Sequence, residues 1–185
     1  MRLSFLLPFC LLVMGFVACD EGNVDLDNTS EETLVVSIDE LQYVLRGGEY
    51  RHIQLEPGRH SIIIKDEDGK IMEEATFLVE NGGLINLARS KYLIWTDLYG
   101  DSNLRKIKLK EDWIDIGDES FYGEFQPIDQ ESLFLESEWD FGLNEQFPED
   151  MMGWNVKDKY IIKRKLFREA DLVEAYHSLV NKNKQ

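Results

Sequence analysis

Two of the three histidines occupy positions that could serve metal chemistry. His52 and His60 fall on neighbouring predicted strands, so their imidazoles could approach each other across a sheet and bind one metal ion. A single histidine on a strand more often packs or faces solvent, and His177 lies on the polar flank of a predicted helix. The sequence therefore predicts no metal site.

Carboxylates are numerous, with 36 Asp and Glu among 185 residues. The run Asp66-Glu67-Asp68-Gly69 could offer oxygens to Ca²⁺, but it lacks the EF-hand spacing, and its twelfth position would be Phe77 instead of a bidentate Glu. Glu136, Glu138 and Asp140 could form the carboxylate pair of a glycosidase, although so acidic a chain places some carboxylates close together by chance. No Gly-x-Ser-x-Gly, His-Glu-x-x-His or phosphate-binding glycine loop occurs. We therefore predict a non-enzyme with no catalytic residue and no cofactor, and keep a carboxylate-dependent hydrolase as the less favoured alternative.

Three tryptophans in the second half of the chain could stack on sugar rings: Trp113, Trp139 and Trp154. The competing interpretation is that they fill the core of a small folded unit, because large aromatic side chains contribute much buried area. Together they are the candidate glycan contacts of this sequence.

Charge is unevenly distributed along the chain, whose formal net charge is −16. Residues 111–156 hold 14 acids and no Lys or Arg, whereas residues 157–185 hold 4 acids and 8 bases. We expect the basic segment to pack beside the acidic block and reduce its self-repulsion; the alternative is an acidic face for a basic partner or Ca²⁺. The overall charge argues against duplex nucleic acid as a partner, because such binding displaces counterions with Lys and Arg.

Residues 1–18 have the features of an export signal. Arg2 precedes an uncharged run from Leu3 to Ala18, which is shorter than the roughly 20 apolar residues of a spanning helix. Phe16-Val17-Ala18-Cys19 resembles the lipobox of bacterial lipoproteins, with Phe16 in place of the usual leucine. The resemblance implies that Cys19 is lipidated, that the mature chain begins there, and that two or three acyl chains hold it in a membrane. An ordinary secretory signal that happens to contain Cys19 is the alternative.

Residues 19–32 are predicted to be an acidic lipidated tether. As a flexible chain it would span about 20 Å. Acidic residues directly after the lipidated cysteine resemble a surface-export signal in some Gram-negative groups, whereas Asp20 at this position in enteric bacteria resembles an inner-membrane retention signal. We expect an outer-membrane location and prefer the outer surface to the periplasmic side.

Residues 33–99 show short strand patterns separated by turn signals, which favours an antiparallel β-sandwich. Asp68-Gly69 is a hairpin signal. The segment Leu55-Glu56-Pro57-Gly58-Arg59-His60-Ser61-Ile62-Ile63-Ile64 resembles PEGA-type domains, although the Pro-Glu-Gly-Ala tetrad is missing. The resemblance implies a small, usually non-catalytic envelope module.

Residues 100–185 are predicted to form an acidic β-rich unit that ends in an amphipathic helix. Strand candidates are Leu104–Leu109, Trp113–Ile116, Phe121–Phe125, Ser132–Leu135 and Lys159–Phe167. The predicted helix runs from Glu169 to Asn181, and its apolar stripe needs a partner surface, most simply the sheet of the same unit. The stripe comprises Leu172, Val173, Tyr176, Leu179 and Val180.

The fold class expected from these patterns is mainly β, α+β overall. It consists of an N-terminal antiparallel β-sandwich followed by a β-rich unit with one C-terminal helix. The expected function is that of a lipid-anchored cell-envelope protein, acting in non-catalytic binding or as an accessory subunit of an envelope assembly. A surface glycan-binding protein with an aromatic platform is the alternative.

Overall fold

A computed structural model of the protein describes residues 22–100, 108–128, 131–146 and 160–182. Within these residues the chain forms twelve strands and one C-terminal helix, which confirms the predicted mainly β fold class. The elements are β1 (Gly22–Asp27), β2 (Leu34–Ile38), β3 (Leu41–Leu45), β4 (Tyr50–Leu55), β5 (Gly58–Lys65), β6 (Ile71–Val79), β7 (Gly83–Asn86), β8 (Tyr92–Gly100), β9 (Asp112–Ile116), β10 (Glu119–Ile128), β11 (Phe134–Glu136), β12 (Tyr160–Arg168) and α1 (Glu169–Lys182).

The strands form three four-stranded sheets. Sheet 1 has the order β3-β2-β5-β6, sheet 2 the order β11-β7-β1-β4, and sheet 3 the order β12-β8-β10-β9. Neighbouring strands are antiparallel, with one exception: β1 and β7 pair in parallel. The expected antiparallel sandwich therefore contains one parallel pair.

Two predicted turns have different structural roles. Asp68-Gly69 lies in the hairpin between β5 and β6, as predicted, and Gly69 has a φ of +84° that suits a residue without Cβ. Pro57-Gly58, by contrast, carries the chain from β4 in sheet 2 to β5 in sheet 1. A proline–glycine pair shows that the chain turns, but not whether the next strand pairs with the previous one.

Sheets 1 and 2 pack face to face around the largest apolar core. Their strands alternate between inward apolar and outward polar residues, the pattern of a sheet with one buried face. The core residues are Val24, Leu26, Leu34, Val36, Ile38, Leu45, Ile53, Leu55, Ile62, Ile64, Phe77, Val79, Ile85, Leu87 and Leu133.

The predicted tether over residues 19–32 is wrong from Gly22 onward. β1 lies inside sheet 2 between β7 and β4, and Val24 and Leu26 are fully buried in the sandwich core. The next residues are also fixed: Asn28 is fully buried and donates its side-chain N–H groups to the carbonyls of Glu32, Leu45 and Arg46. Residues 19–21 lie outside the described residues.

Sheet 2 is covered on its second face by sheet 3 over part of its width. Leu84 and Leu135 of sheet 2 pack against Tyr92, Ile94 and Leu166 of sheet 3. The opposite face of sheet 3 carries α1, with Leu172 fully buried beside Leu93, Phe121 and Phe167. The helix therefore packs on its own unit, as expected, through Leu172, Val173 and Tyr176; the side chains of Leu179 and Val180 are outside the described residues.

The predicted boundary near residue 99 does not coincide with the sheets. β8, at the end of the first predicted unit, is an inner strand of sheet 3, and β11 of the second predicted unit joins sheet 2. The strand predicted at Leu104–Leu109 lies largely in residues 101–107, outside the described residues. The two units predicted from the sequence therefore do not correspond to separate sheets of the structure.

The basic C-terminal segment does contact the acidic block. Lys163 pairs with Asp140 at 2.5 Å between Nζ and Oδ1, and His177 Nε2 lies 2.6 Å from Glu119 Oε2. The Lys163–Asp140 ion pair confirms the expected internal pairing of charges, and His177 adds a hydrogen-bonding contact to the acidic block. Among the described residues, no helix has the length and hydrophobicity needed to cross a bilayer.

Candidate functional site

A polar cleft of about 400 Å³ lies on the part of sheet 2 that sheet 3 leaves uncovered. Its floor is formed by β1 and the edge strand β4, and its wall by residues 137–145. Apart from two glycines, every lining residue is polar or aromatic. They are Asn23, Asp25, Tyr50, His52, Asn81, Gly83, Ser137, Trp139, Asp140, Gly142 and Glu145.

The floor is polar because β1 alternates with period two. In Asn23-Val24-Asp25-Leu26 the two apolar residues enter the sandwich core, so the two polar ones must face the opposite side of the sheet. Asp25 lies opposite His52 in the register of β1 and β4. The strand pairing therefore brings a carboxylate and an imidazole together.

Asp25 has two neighbours on β4. Its Oδ1 lies 2.8 Å from His52 Nδ1, and its carboxylate lies close enough to the Tyr50 hydroxyl to raise the pKa of that group. The Asp25 side chain is only 13% exposed, whereas that of His52 is 52% exposed. Burial, followed by the nearby Asp25 carboxylate, raises the pKa of the Tyr50 hydroxyl, so Tyr50 is a neutral hydrogen-bonding group at physiological pH.

The wall of the cleft is tied to the edge strand β12. Asp140 accepts from Lys163 through Oδ1 at 2.5 Å and from the backbone N–H of Arg164 through Oδ2 at 2.9 Å. Lys165 donates from Nζ to the carbonyls of Gly142 and Leu143 at 2.6 and 3.2 Å. Consecutive residues of β12 thus set the position of the wall.

Lys165 is a buried cation, with an exposed fraction of 5%. Burial lowers the pKa of its amine to about 8, although Glu145 and Asp171 favour the charged form. Because its nitrogen is directed at the wall carbonyls, we assign Lys165 a positioning role.

Trp139 and Gly142 shape the interior of the cleft. Trp139 is half-buried and packs against the cluster between sheets 2 and 3 while lining the cleft. Gly142 donates its N–H to Glu145 Oε2 at 2.5 Å. A Cβ at position 142 would lie 3.6 Å from both Asp25 Oδ2 and Glu145 Oε2, so the missing side chain leaves space between these two carboxylates.

Next to the cleft, the same face of β1 is sealed. Asp27 is fully buried and receives two hydrogen bonds from Arg168, at 2.9 Å from Nε to Oδ2 and 2.6 Å from Nη2 to Oδ1. Tyr92 donates its hydroxyl to Oδ2 at 2.5 Å. This triad joins β1 of sheet 2 to β8 and β12 of sheet 3 and closes the end of the cleft floor.

The three candidate tryptophans do not form one platform among the described residues. Trp113 lies on β9, is 64% exposed and packs against Tyr122 with ring centroids 5.3 Å apart. Trp139 lines the cleft, and Trp154 lies outside the described residues. Of the two candidate tryptophans that the structure describes, Trp139 belongs to this site and Trp113 does not.

The other candidate groups are dispersed. His52 and His60 do not approach each other as a pair across one sheet, because β4 and β5 belong to different sheets; His60 Nδ1 instead lies 2.7 Å from Asp39 Oδ2. Glu136 and Glu138 line a second cavity of about 330 Å³ beside Phe134 and Pro127, while Asp140 lines the cleft. In the described part of the chain, no three His, Cys, Asp or Glu side chains are arranged to hold a metal ion. Cys19 lies outside the described residues.

Sequence reasoning missed three central residues of the cleft: Asp25, Tyr50 and Glu145. The available signal for Asp25 was the strict alternation of Asn23-Val24-Asp25-Leu26-Asp27, which is typical of a strand with one buried face. Glu145 had no comparable signal, because it approaches Asp25 only through the fold of the wall.

The chain matches no family model, no curated protein and no solved structure. The PEGA-type resemblance of Leu55–Ile64 and the lipobox resemblance at Cys19 therefore remain predictions.

Proposed function

We propose that this protein is a lipid-anchored, non-catalytic binding protein of the bacterial cell envelope and that the cleft is its binding site. The observation that supports this best is that other groups of the protein hold the acidic side chains of the cleft: His52 holds Asp25, Lys163 holds Asp140, and the Gly142 N–H holds Glu145. Such fixed acceptors suit recognition of a polar ligand.

The position of β1 supports attachment through Cys19. The strand begins at Gly22, three residues after Cys19, and three extended residues span at most about 11 Å. Asn23 of the cleft is the next residue. In a lipidated protein the cleft therefore lies close to the headgroups, which suits a ligand or envelope partner at the membrane surface.

Lipidation is tested by labelling growing cells with a palmitate analogue. We expect label on the wild-type protein and on Cys10→Ser, whose altered cysteine lies in the predicted signal. We expect none on Cys19→Ser, and that variant should be released from the membrane fraction. Label that persists on Cys19→Ser would contradict the anchor.

The leaflet is tested by protease treatment of intact cells. Asp20 and Glu21 are changed to Asn and Gln, while Asp25 and Asp27 are kept because they bond within the fold. Digestion of the wild type that is lost in the double variant would support surface export through these acids. Protection of both proteins would favour the periplasmic side and an accessory role in an envelope assembly.

A further inference from the structure

The chemistry of the cleft lining restricts the ligand. Among the described lining residues, the acceptors are carboxylates and amides, groups that can donate include Tyr50 and His52, and the aromatic rings are those of Tyr50 and Trp139, with His52 beside them. In the described part of the chain no aliphatic side chain lines the cleft, so its lining suits a polar ligand better than an aliphatic one. The volume of about 400 Å³ is within the range of small-molecule sites.

The carboxylates of the cleft suit a neutral ligand better than a strongly cationic one. Asp25 and Asp140 already have nitrogen partners on His52 and Lys163, and Lys165 lies behind the wall that carries Glu145. Asp140 is already paired with Lys163, so a cationic ligand would have to compete with that lysine for Asp140. A neutral hydroxyl can donate to a carboxylate oxygen without displacing these partners, because each carboxylate has about four lone-pair sites.

The space between the carboxylates is also open. Asp25 Oδ2 and Glu145 Oε2 both lie 3.6 Å from the position that a Cβ of residue 142 would occupy. That position is within bonding distance of the Gly142 Cα, so a ligand group would lie in front of the bare Cα, between these two acceptors. The indole nitrogen Nε1 of Trp139 is 3.9 Å from the same Cβ position, so Trp139 lies beside them. Adjacent hydroxyls next to an apolar ring face are features of a pyranose sugar.

We propose that the cleft binds one neutral sugar unit of a glycan, with Asp25 and Glu145 accepting its hydroxyl groups and Trp139 lying against its ring. This inference rests on the proposed binding function and names its ligand class. Of the tryptophans of the expected platform, it uses Trp139 and leaves out Trp113, which lies on β9 away from the cleft.

The test is saturation-transfer NMR on the full chain, purified in a detergent with a polyoxyethylene headgroup. The probes are methyl glycosides of glucose, galactose, mannose, N-acetylglucosamine and N-acetylgalactosamine, with 1,4-diaminobutane as the cationic competitor. We expect transfer to at least one glycoside and none to the diamine. The absence of transfer to every glycoside, or transfer to the diamine alone, would overturn the sugar assignment.

Two variants locate the binding. Gly142→Ala adds a methyl group at ordinary contact distance from Asp25 and Glu145, fills their intervening space and removes no polar group. Asp25→Asn changes one acceptor. Asp25→Asn should weaken binding about tenfold or more, since a hydrogen bond to a charged group contributes about 1.5–3 kcal/mol. Gly142→Ala should weaken binding to a similar extent, because its methyl group blocks the approach of the sugar to both carboxylates. Unchanged binding in Gly142→Ala would place the sugar elsewhere and overturn the proposal.

The matched control is Asp39→Asn, which alters the similar Asp39–His60 pair on sheet 1 away from the cleft. It should bind like the wild type, and equal loss in this control would contradict a local effect. The same spectra separate the two proposals: release of a free reducing sugar would overturn the non-catalytic function and leave the sugar assignment intact. Absence of palmitate label would contradict the lipid anchor. It would leave both the binding function of the cleft and its sugar assignment standing.

Discussion

Asp25 and Asp27 lie two residues apart on the same face of β1, and each lies beside one tyrosine and one nitrogen-bearing side chain that bonds to it. Asp27 has Tyr92 and Arg168 and is fully buried. Asp25 has Tyr50 and His52, and its histidine partner is 52% exposed. The difference is that sheet 3 covers the first group and leaves the second in a cleft.

The face of β1 that carries both aspartates therefore has two roles, one structural and one open to a ligand. An ion pair removed from water must satisfy its partners completely, and Arg168 does so with two parallel bonds. A pair at a cleft keeps open positions that a ligand can use. Asp25 and Asp27 are the same residue type. Coverage by sheet 3 makes Asp27 a structural residue, and the lack of that cover leaves Asp25 as a candidate binding residue.

The largest expected effect is from Asp27→Asn. Arg168, whose side chain is 23% exposed, would remain beside a neutral amide in place of the fully buried Asp27 carboxylate, so we expect destabilisation of about 3–5 kcal/mol in urea unfolding. Asp25→Asn, at the open end, should cost less than about 1 kcal/mol. Equal losses of stability in the two variants would contradict the proposed difference in burial between Asp27 and Asp25.

The second prediction compares the two faces of β1. Leu26→Ala should destabilise the protein by about 3 kcal/mol, because it creates a cavity between sheets 1 and 2. Asn23→Ala, on the exposed cleft face, should change stability by less than about 0.5 kcal/mol. A flexible tether at these residues would show no cost for either change, so urea midpoints of the two variants decide between strand and tether.

The third prediction concerns Lys165 behind the cleft wall. Its pKa is lowered from 10.5 to about 8, so the unfolded chain binds more protons than the folded chain between those values. Stability contributed by this group must therefore rise with pH in that window, by on the order of 2 kcal/mol from pH 8 to pH 10. Urea unfolding of the wild type and Lys165→Met across this range should show the wild type gaining relative stability. A constant difference would contradict the buried amine.

The smallest effect is expected at the Asp39–His60 pair, where the burial pattern of the cleft pair is reversed: His60 is 12% exposed and Asp39 45%. Burial alone would lower the pKa of His60, but the bonds to Asp39 and the Glu56 carbonyl hold it above its usual value. The Ser61 backbone N–H and then His60 lower the pKa of Asp39.

The sign of the pH dependence follows from those directions. A raised histidine pKa contributes stability below the unfolded value of 6.5 and loses it as pH rises through the folded pKa. The lowered pKa of Asp39 contributes stability above 3.8 and loses it as pH falls through the folded pKa. The advantage of the wild type over His60→Gln should therefore shrink from about pH 6 to pH 8. A stability advantage of the wild type that grows over this pH interval would refute the raised pKa of His60.

Local patterns were sufficient for much of the fold. Alternating β-branched residues predicted strands in residues 33–99, and the apolar stripe predicted a helix at Glu169–Asn181, close to the observed Glu169–Lys182. These patterns failed at β1, because its acidic residues were interpreted as part of a solvated tether. In a strand with one buried face, half the residues can be acidic while the other half enter the core.

The alternation of Asn23-Val24-Asp25-Leu26-Asp27 determined which side chains face the core and which face away, since successive strand residues point to opposite sides. The sequence could not specify what lies above the polar face. That depends on pairing between residues far apart in the chain: Arg168 reaches Asp27 across 141 positions, and Glu145 approaches Asp25 only when β12 holds the wall. Only the stacking of the sheets decided that Asp27 is sealed and Asp25 lines a cleft, because burial is a property of the assembled layers.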